Sequence, residues 1–281
     1  MEWEFREIEK KIKIERIFTA FENEFSEGHI FSGESHDFWE LVYVIDGEVC
    51  VSADERVLNL GKNDIIFHKP LELHKFHTSS EKKAHLFIFT FSASGELMKE
   101  FENCAVSLSP EQREYIFNLI NLLRSNSDET NRKYISYMEY IKNSPCLGEM
   151  AACFTELFLL SFKGKGQIIL TSHDSPDAVI FKKAVEIMEK RISDWISVPE
   201  LARECSVSVS YLKKIFGIYS GLGVHKYFLK AKIISASQML KAGKNVSETA
   251  VELGFSSQNY FSTVFKRETG VAPQIYRRRY K

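Results

Sequence analysis

Apolar positions alternate along much of the first hundred residues and recur with a helical period after Pro110. Residues 1–35 form a mixed, partly alternating opening marked by Phe18, Phe21 and Phe25, where one or two strands or loops are expected. From Phe38 the alternation sharpens. FWELVYVI runs into Asp46-Gly47 and then EVCVSA, two β-rich runs joined by a dipeptide that suits a hairpin turn with positive φ. RVLNL, DIIFH, LHKFH and HLFIFTF follow, separated by Gly61-Lys62-Asn63, Lys69-Pro70 and the polar run from Thr78 to Lys83. Short strands at this spacing predict a small barrel or sandwich.

Beyond Pro110, EQREYIFNLINLLRS places Tyr115, Ile116, Leu119, Ile120 and Leu123 on one helical stripe, and MAACFTELFLLSF is apolar around most of its circumference. The second of these helices needs a partner, either within the chain or on a second subunit. Lys163 to Ser175, with Gly164, Gly166, Ser172, Asp174 and Ser175, reads as a linker in which QIIL suits a short ordered stretch. Pro176-Asp177 then opens a helix whose Val179, Ile180, Ala184, Ile187 and Met188 are expected to face a core.

Two further segments read as helix, tight turn, helix. In the second, Val246, Ala250 and Leu253 share one face, Gly254 breaks the helix, and Tyr260, Phe261, Val264 and Phe265 are expected to point inward. Polar Ser257, Gln258, Asn259, Ser262 and Thr263 are left facing outward near the start of the second helix, the part that enters the major groove in a helix-turn-helix. Amide side chains there can bond an adenine edge in two places. The first segment repeats the pattern: Tyr211, Leu212, Phe216, Gly221 and Tyr227 precede Tyr260, Phe261, Phe265, Gly270 and Tyr276 by 49 positions each. Upstream of the turn the offset is 48 (Ala202 to Ala250, Val207 to Phe255), so the second copy carries one extra residue where its second helix begins. Ser208 is a capping candidate. Val224 to Leu240 predicts a helix of about 17 residues, roughly 25 Å long, between the two units.

The charge is partitioned. Residues 176–281 hold 18 Lys plus Arg against 9 Asp plus Glu, while residues 1–175 are net acidic by ten charges. A basic module beside an acidic one suits a domain that meets phosphate and another that does not. The 281 residues allow two domains with sizeable cores. The charged start MEWEFREIEKKIKIER lacks a signal-peptide pattern and no uncharged apolar run approaches membrane length, so a cytoplasmic protein without membrane association is expected. Five cysteines without a CxxC pair indicate neither a zinc knuckle nor a disulfide framework.

With these motifs in view, AVELGFSSQNYFSTVFKRETGVAPQIYR and, in the first copy, Leu201-Ala202, Ser208, Tyr211-Leu212, Phe216, Gly221, Tyr227 and Ala231 resemble the DNA-binding domain of the AraC/XylS family of bacterial transcription regulators. The resemblance implies an α+β two-domain fold: a cupin-like effector-binding β-barrel over 1–108, a helical dimerisation segment over 109–163, a linker over 164–175, and an all-α domain over 176–281 with helix-turn-helix units at about 198–219 and 246–268. Carried over by position, Ser208, Ser210, Tyr211, Lys213 and Lys214 would lie on the first recognition helix and Gln258, Asn259, Ser262 and Thr263 on the second, with Lys266 and Arg267 nearer phosphate. The implied partners are double-stranded promoter DNA, a small-molecule effector such as a sugar, a second copy of the chain, and RNA polymerase for an activator. The first turn has Cys205-Ser206 where the second has Leu253-Gly254.

The amino-terminal half resembles a cupin more loosely. His36, Glu40 and Gly47 fit part of a first cupin motif, and Gly61, Asp64, Pro70 and His74 part of a second. A metal-binding cupin would carry a second histidine where Phe38 stands, so no metal, no cofactor and no catalytic residue are expected. Alternation puts His36, Phe38 and Glu40 on one face and His74 and Phe76 together on another strand, which would line an effector pocket if both faces point inward. Pairing of His36 with Glu40 for structure alone is the competing reading. Two other functions stay open: a ligand-independent DNA-binding regulator that uses the barrel only to dimerise, and a metal-dependent cupin enzyme fused to a DNA-binding domain.

Overall fold

The computed structural model describes residues 6–31, 33–127, 133–163, 168–169 and 175–279. Its amino-terminal half is built on strands β1 (Lys13–Phe25), β2 (Trp39–Ala53), β3 (Arg56–Gly61), β4 (Asp64–His68), β5 (His74–Thr78) and β6 (Ala84–Ser94), all antiparallel where they pair. Short β7 (Ala105–Ser107) and β8 (Tyr134–Ser136) extend the sheet at β4 and β1.

β2 organises this half. Its first part pairs with β4 and β6 and its second part with β3 and β5. The hairpin expected at Asp46-Gly47 does not form: the strand runs straight through, with a register shift between Val44 and Asp46. Gly47 does take a left-handed φ of 85°, but in a bulge. A Cβ there would stand 2.0 Å from the Lys83 carbonyl oxygen, so the close approach of the β6 chain demands glycine. The extra residue inverts the alternation. Before it, Glu40, Val42 and Val44 face the barrel interior; after it, Val49, Val51 and Ala53 do.

Leu41, Tyr43, Ile65, Phe67, Phe87, Phe89 and Phe91 leave the barrel on its outer face and meet α1 (Pro110–Ser125) and α3 (Pro145–Leu160), which pack with α2 (Met138–Asn143). Strands covered on both faces explain the nearly continuous apolar run of HLFIFTF. Ser109 and Gln112 close a capping box at the start of α1. Glu22, buried beneath it, receives Arg124 Nε and Nη2 at 2.8 and 2.6 Å, Tyr137 Oη, and an ion pair from His85 at 3.1 Å. Burial would raise its pKa, and these donors hold it down at about 2. The question left open for the second helix has a divided answer. Leu147, Ala151, Thr155, Phe158 and Leu159 of α3 are buried within the chain, while Cys146, Met150, Cys153, Leu157 and Leu160 are exposed.

Most of the expected linker lies outside the described residues. Ile168–Ile169 form β9 against β7, as QIIL allowed. Helices α4 (Pro176–Lys190), α5 (Val198–Glu204), α6 (Val209–Tyr219), α7 (Val224–Lys241), α8 (Val246–Glu252), α9 (Gln258–Thr269) and α10 (Pro273–Arg279) complete the chain. Side chains of Ser175, Ser197, Ser208, Asn245 and Ser257 cap α4, α5, α6, α8 and α9. The buried stripe of α4 is Ala178, Phe181, Ala184, Val185 and Met188. Val179, expected in the core, is 54% exposed, because the face of α4 that packs on α6 and the barrel is rotated from it. Among the described residues no helix is long and apolar enough to cross a membrane.

The two halves share a core in which Val57 and Leu73 of the barrel join Phe181, Phe216, Tyr219, Tyr227 and Phe228 of α4, α6 and α7. A second core gathers Leu229, Ile233, Ala250, Leu253, Phe261, Phe265 and Tyr276 around the second helix pair.

Candidate effector cavity and DNA-reading surface

The inverted alternation of β2 determines what the barrel interior contains. Glu40 points inward near the start of β2, and His74 and Phe76 point inward from β5. His36 and Phe38 lie just ahead of β2 rather than in it. His36 stacks on Phe38 with centroids 4.0 Å apart, and Phe38 stacks on Phe18 at 4.1 Å. His36, Phe38, Glu40 and Phe76 therefore line one cavity of about 480 Å³, and His74 sits behind Glu40 in its wall. Thr19, Phe21, Asn23 and Phe25 of β1, His29, Phe31 and Glu34 of the following segment, and Ile88 and Thr90 of β6 complete the lining. These were missed. The regular alternation of residues 19 to 25 could have identified the β1 contribution, whereas nothing local points to Glu34.

The polar end of the cavity is tightly coupled. Glu40 lies 3.5 Å from His36 Nε2 and 3.4 Å from His74 Nε2, and Glu34 lies 3.7 Å from His74 Nε2. Burial favours neutral groups, but the Glu40 charge outweighs it and raises the His74 pKa; His74 and His36 in turn hold Glu40 well below the usual carboxylate range. Behind His74, His68 stacks on its ring at 4.2 Å and meets Glu72 at 2.6 Å, and Glu72 pairs with Arg56 at 3.0 Å. Burial and the neighbouring His74 lower the His68 pKa.

The rim of the cavity is also the seam with the helical half. Within residues 33–38, Glu34, His36 and Phe38 line the cavity. Between them, Asp37 pairs with Lys241 of α7 and accepts from Tyr276 Oη of α10 at 3.1 Å. Gly33 lies against Ser220, where a Cβ would stand 2.8 Å from the carbonyl oxygen. From the outer face of β2 and β5, Ser52 donates to the Tyr219 carbonyl, and Lys75 donates to the carbonyls of Gly217, at 2.8 Å, and Ile218. Asp54 receives Leu73 N–H at 3.0 Å and lies 3.4 Å from Lys69; burial and the charge of Glu72 push it up to about 6.

On the helical half, the anticipated contact residues fall on two exposed helix starts. Ser208 is spent as the cap of α6, accepting from Tyr211 N–H, while Ser210, Lys213 and Lys214 are exposed. Tyr211 is 37% exposed and its hydroxyl donates to Asp177 at 2.5 Å. In α9, Gln258, Asn259 and Thr263 are exposed and Ser262 half-buried, with Lys266 and Arg267 exposed in the last turn. Tyr260, expected in the core, is 45% exposed: it occupies the first turn on the outer side, and Phe261 takes the buried position. Both turns adopt the same left-handed conformation, at Ser206 (φ 61°) and Gly254 (φ 67°). Only the second requires glycine for space, since a Cβ there would meet the Ser193 carbonyl oxygen at 2.1 Å. The connecting helix α7 has 18 residues, about 27 Å at 1.5 Å per residue.

The model of the AraC-like ligand binding domain matches residues 20–134, and that of a helix-turn-helix domain matches residues 201–279. The HTH-type transcriptional activator RhaR of Cronobacter sakazakii is 23% identical over 265 residues, covering 90% of this chain and 88% of that one. The regulatory protein PocR of Salmonella typhimurium is 32% identical over 108 residues, covering 38% of this chain and 34% of that one, so this match spans about a third of that relative. ToxT of Vibrio cholerae O395, a solved structure, is 16% identical with a TM-score of 0.38 and coverage of 93% of this chain and 96% of that one. The two matched domains are the two halves that the Asp37 and Lys75 contacts join, and the chain belongs to the AraC family: it is a DNA-binding regulator with an amino-terminal ligand-binding domain.

Proposed function

We propose that the protein is a cytoplasmic, homodimeric transcriptional activator, without enzymatic activity, that reads promoter DNA with both helix-turn-helix units and is switched by a small hydroxylated metabolite, such as a sugar, held in the barrel cavity. The observation that carries this reading is the double duty of residues 33–38, which line the cavity and hold the helical half. A ligand switches DNA binding only through unequal affinity for two arrangements of the protein. An occupant that moves Glu34 or His36 moves the flanks of Asp37. Aromatic walls with Thr19, Asn23, Thr90 and His36 as polar handles suit a hydroxylated occupant.

In this reading Ser210, Lys213 and Lys214, with Gln258, Asn259, Ser262 and Thr263, meet bases and sugar-phosphate, and Lys266 and Arg267 meet phosphate. Ser208 and Tyr211 are assigned mainly to shaping the first helix, given their bonds to Tyr211 N–H and Asp177. Dimerisation is supported by α3: exposed Cys146, Met150, Cys153, Leu157 and Leu160 recur at alternating spacings of four and three, the seam pattern of a coiled coil. Activation through RNA polymerase is supported by relatives described as activators. Domain limits of 1–108, 109–163, 164–175 and 176–281 are part of the same proposal.

The experiment is to map the genomic binding sites and measure affinity for one of them with a panel of sugars and related metabolites. Affinity for that site should change with one member of the panel; a constant affinity throughout overturns effector control. Gln258→Ala should cost about 1 to 3 kcal/mol on the mapped site and little on random DNA, whereas Lys266→Ala should weaken both alike and flatten the salt dependence. Equal losses for Gln258→Ala on both DNAs would remove it from base reading.

A further inference from the structure

We infer that Glu34, His36, Glu40 and His74 form a site for one divalent first-row transition-metal ion in the wall of the barrel cavity. One potential ligand atom from each residue lies within 4.8 Å of all the others. The two imidazoles are prepared in the same way. Nδ1 of His36 faces the Phe38 carbonyl oxygen at 3.0 Å, and Nδ1 of His74 faces that of Glu72 at 3.1 Å. A carbonyl only accepts, so each Nδ1 carries a proton and each Nε2 is directed at the carboxylates. Histidines that bind metals are commonly oriented by such a bond to the far nitrogen. Neither Nε2 has a hydrogen-bond partner among the described residues, though both atoms are shielded from solvent and the His74 side chain is only 3% exposed. Buried polar nitrogens are rarely left in that condition.

The spacing fits an ion better than a hydrogen-bonded cluster. The separations of 3.4, 3.5 and 3.7 Å between the imidazole nitrogens and carboxylate oxygens are long for charge-assisted hydrogen bonds. They are close to the separation of about 3.4 Å between neighbouring donors on a tetrahedral ion with bonds of about 2.1 Å. Glu34 is brought in by its backbone, whose N–H and carbonyl bond the carbonyl and N–H of His74 at 2.9 and 3.0 Å. Residues directly opposed in such a pair carry their side chains on one side. The Glu34 carboxylate is half-exposed and can close onto an ion without disturbing the core. Two imidazoles with two carboxylates suit Zn²⁺, Co²⁺, Fe²⁺ or Mn²⁺, whereas Mg²⁺ and Ca²⁺ favour all-oxygen shells. The inference does not rest on effector control, since an ion can bind whether or not a metabolite enters the cavity.

Co²⁺ titration of the untagged full-length protein, freed of metal by chelation, tests this site. One Co²⁺ per chain should bind with visible d–d absorption, be displaced by Zn²⁺, and resist Mg²⁺ at the same concentration. Glu34→Gln and His36→Gln should each weaken Co²⁺ binding by about tenfold or more. Glu34→Gln keeps the test decisive if His36→Gln does not fold, because Glu34 is only partly buried. Failure of the folded wild-type protein to bind one equivalent, unchanged affinity in the Glu34→Gln protein, or a near-ultraviolet thiolate charge-transfer band placing the ion on cysteine overturns the site.

Discussion

The two helix-turn-helix units repeat one pattern, but their recognition helices are completed by different parts of the molecule. α9 finishes itself: Lys266 and Arg267 lie in its last turn, and left-handed Gly270 donates its N–H to the Lys266 carbonyl. α6 has no basic residue in its last turn, and the barrel supplies one. Lys75 and Ser52 take the carbonyls of Gly217, Ile218 and Tyr219, which a helix end leaves without intrahelical partners at its negative pole. The cores differ as well. Where α4 buries Ala184, the position 48 residues later in α7 is Lys232, fully buried, with its amine bonded to the carbonyls of Ile192 and Leu253 and close to the rings of Trp195 and Phe228. Burial lowers its pKa to about 8. The first unit is thus coupled to the barrel through its reading helix, while the second is anchored by an internal lysine and reached by the barrel through Asp37.

The largest expected effect separates the units by pH. Asp54 lies at the seam with the first unit, with a pKa pushed up to about 6. An unfolded aspartate titrates near about 3.9. The folded state therefore keeps a proton that the unfolded state loses. The penalty for ionising Asp54 is absent below about pH 4, develops as pH rises to 6, and reaches up to about 3 kcal/mol of lost stability above that. Urea unfolding at a series of pH values should show this slope in the wild type and a smaller one in Asp54→Asn. Identical slopes would remove Asp54 from the coupling.

Lys232→Met tests the second anchor. Stranding the Ile192 and Leu253 carbonyls should cost about 2 kcal/mol, partly offset because a charge is no longer buried. Amide exchange should quicken in α8 and α9 and stay unchanged in α5 and α6; uniform quickening would erase the contrast. Lys75→Met is the smaller, reciprocal change, at about 1 kcal/mol. It should quicken exchange in the last turn of α6 and leave α9 alone, and an unaffected α6 would show that the barrel does not complete that helix.

Much of the fold could be read from local pattern. The strands, the α1 stripe, the cap Ser208 and the extra residue before the second recognition helix all follow from periodicity and the repeat, whereas Ser257, read as an outward-facing polar position, proves to be the cap of α9. The failures have specific causes. Asp46-Gly47 correctly signalled a left-handed glycine, but only the strands flanking β2 determine whether that conformation makes a hairpin or a bulge. Tyr260 looked like core beside Phe261, yet its repeat partner Tyr211 is also exposed; a hydrophobic period defines a face more reliably than its edges.

By itself, the sequence determined the strand-rich and helix-rich halves, the duplicated helix-turn-helix and the placing of His74 and Phe76 on one face of a strand, because each follows from local periodicity or its repetition along the chain. Only the tertiary structure decided that Glu34 joins His36, Glu40 and His74, that Lys75 ends α6, and that Asp37 reaches Lys241 and Tyr276. Those pairs are brought together by strand register and domain docking. Register at the β2 bulge sets which side chains face the cavity and which face the helices, and no local periodicity encodes the distant chain that packs there.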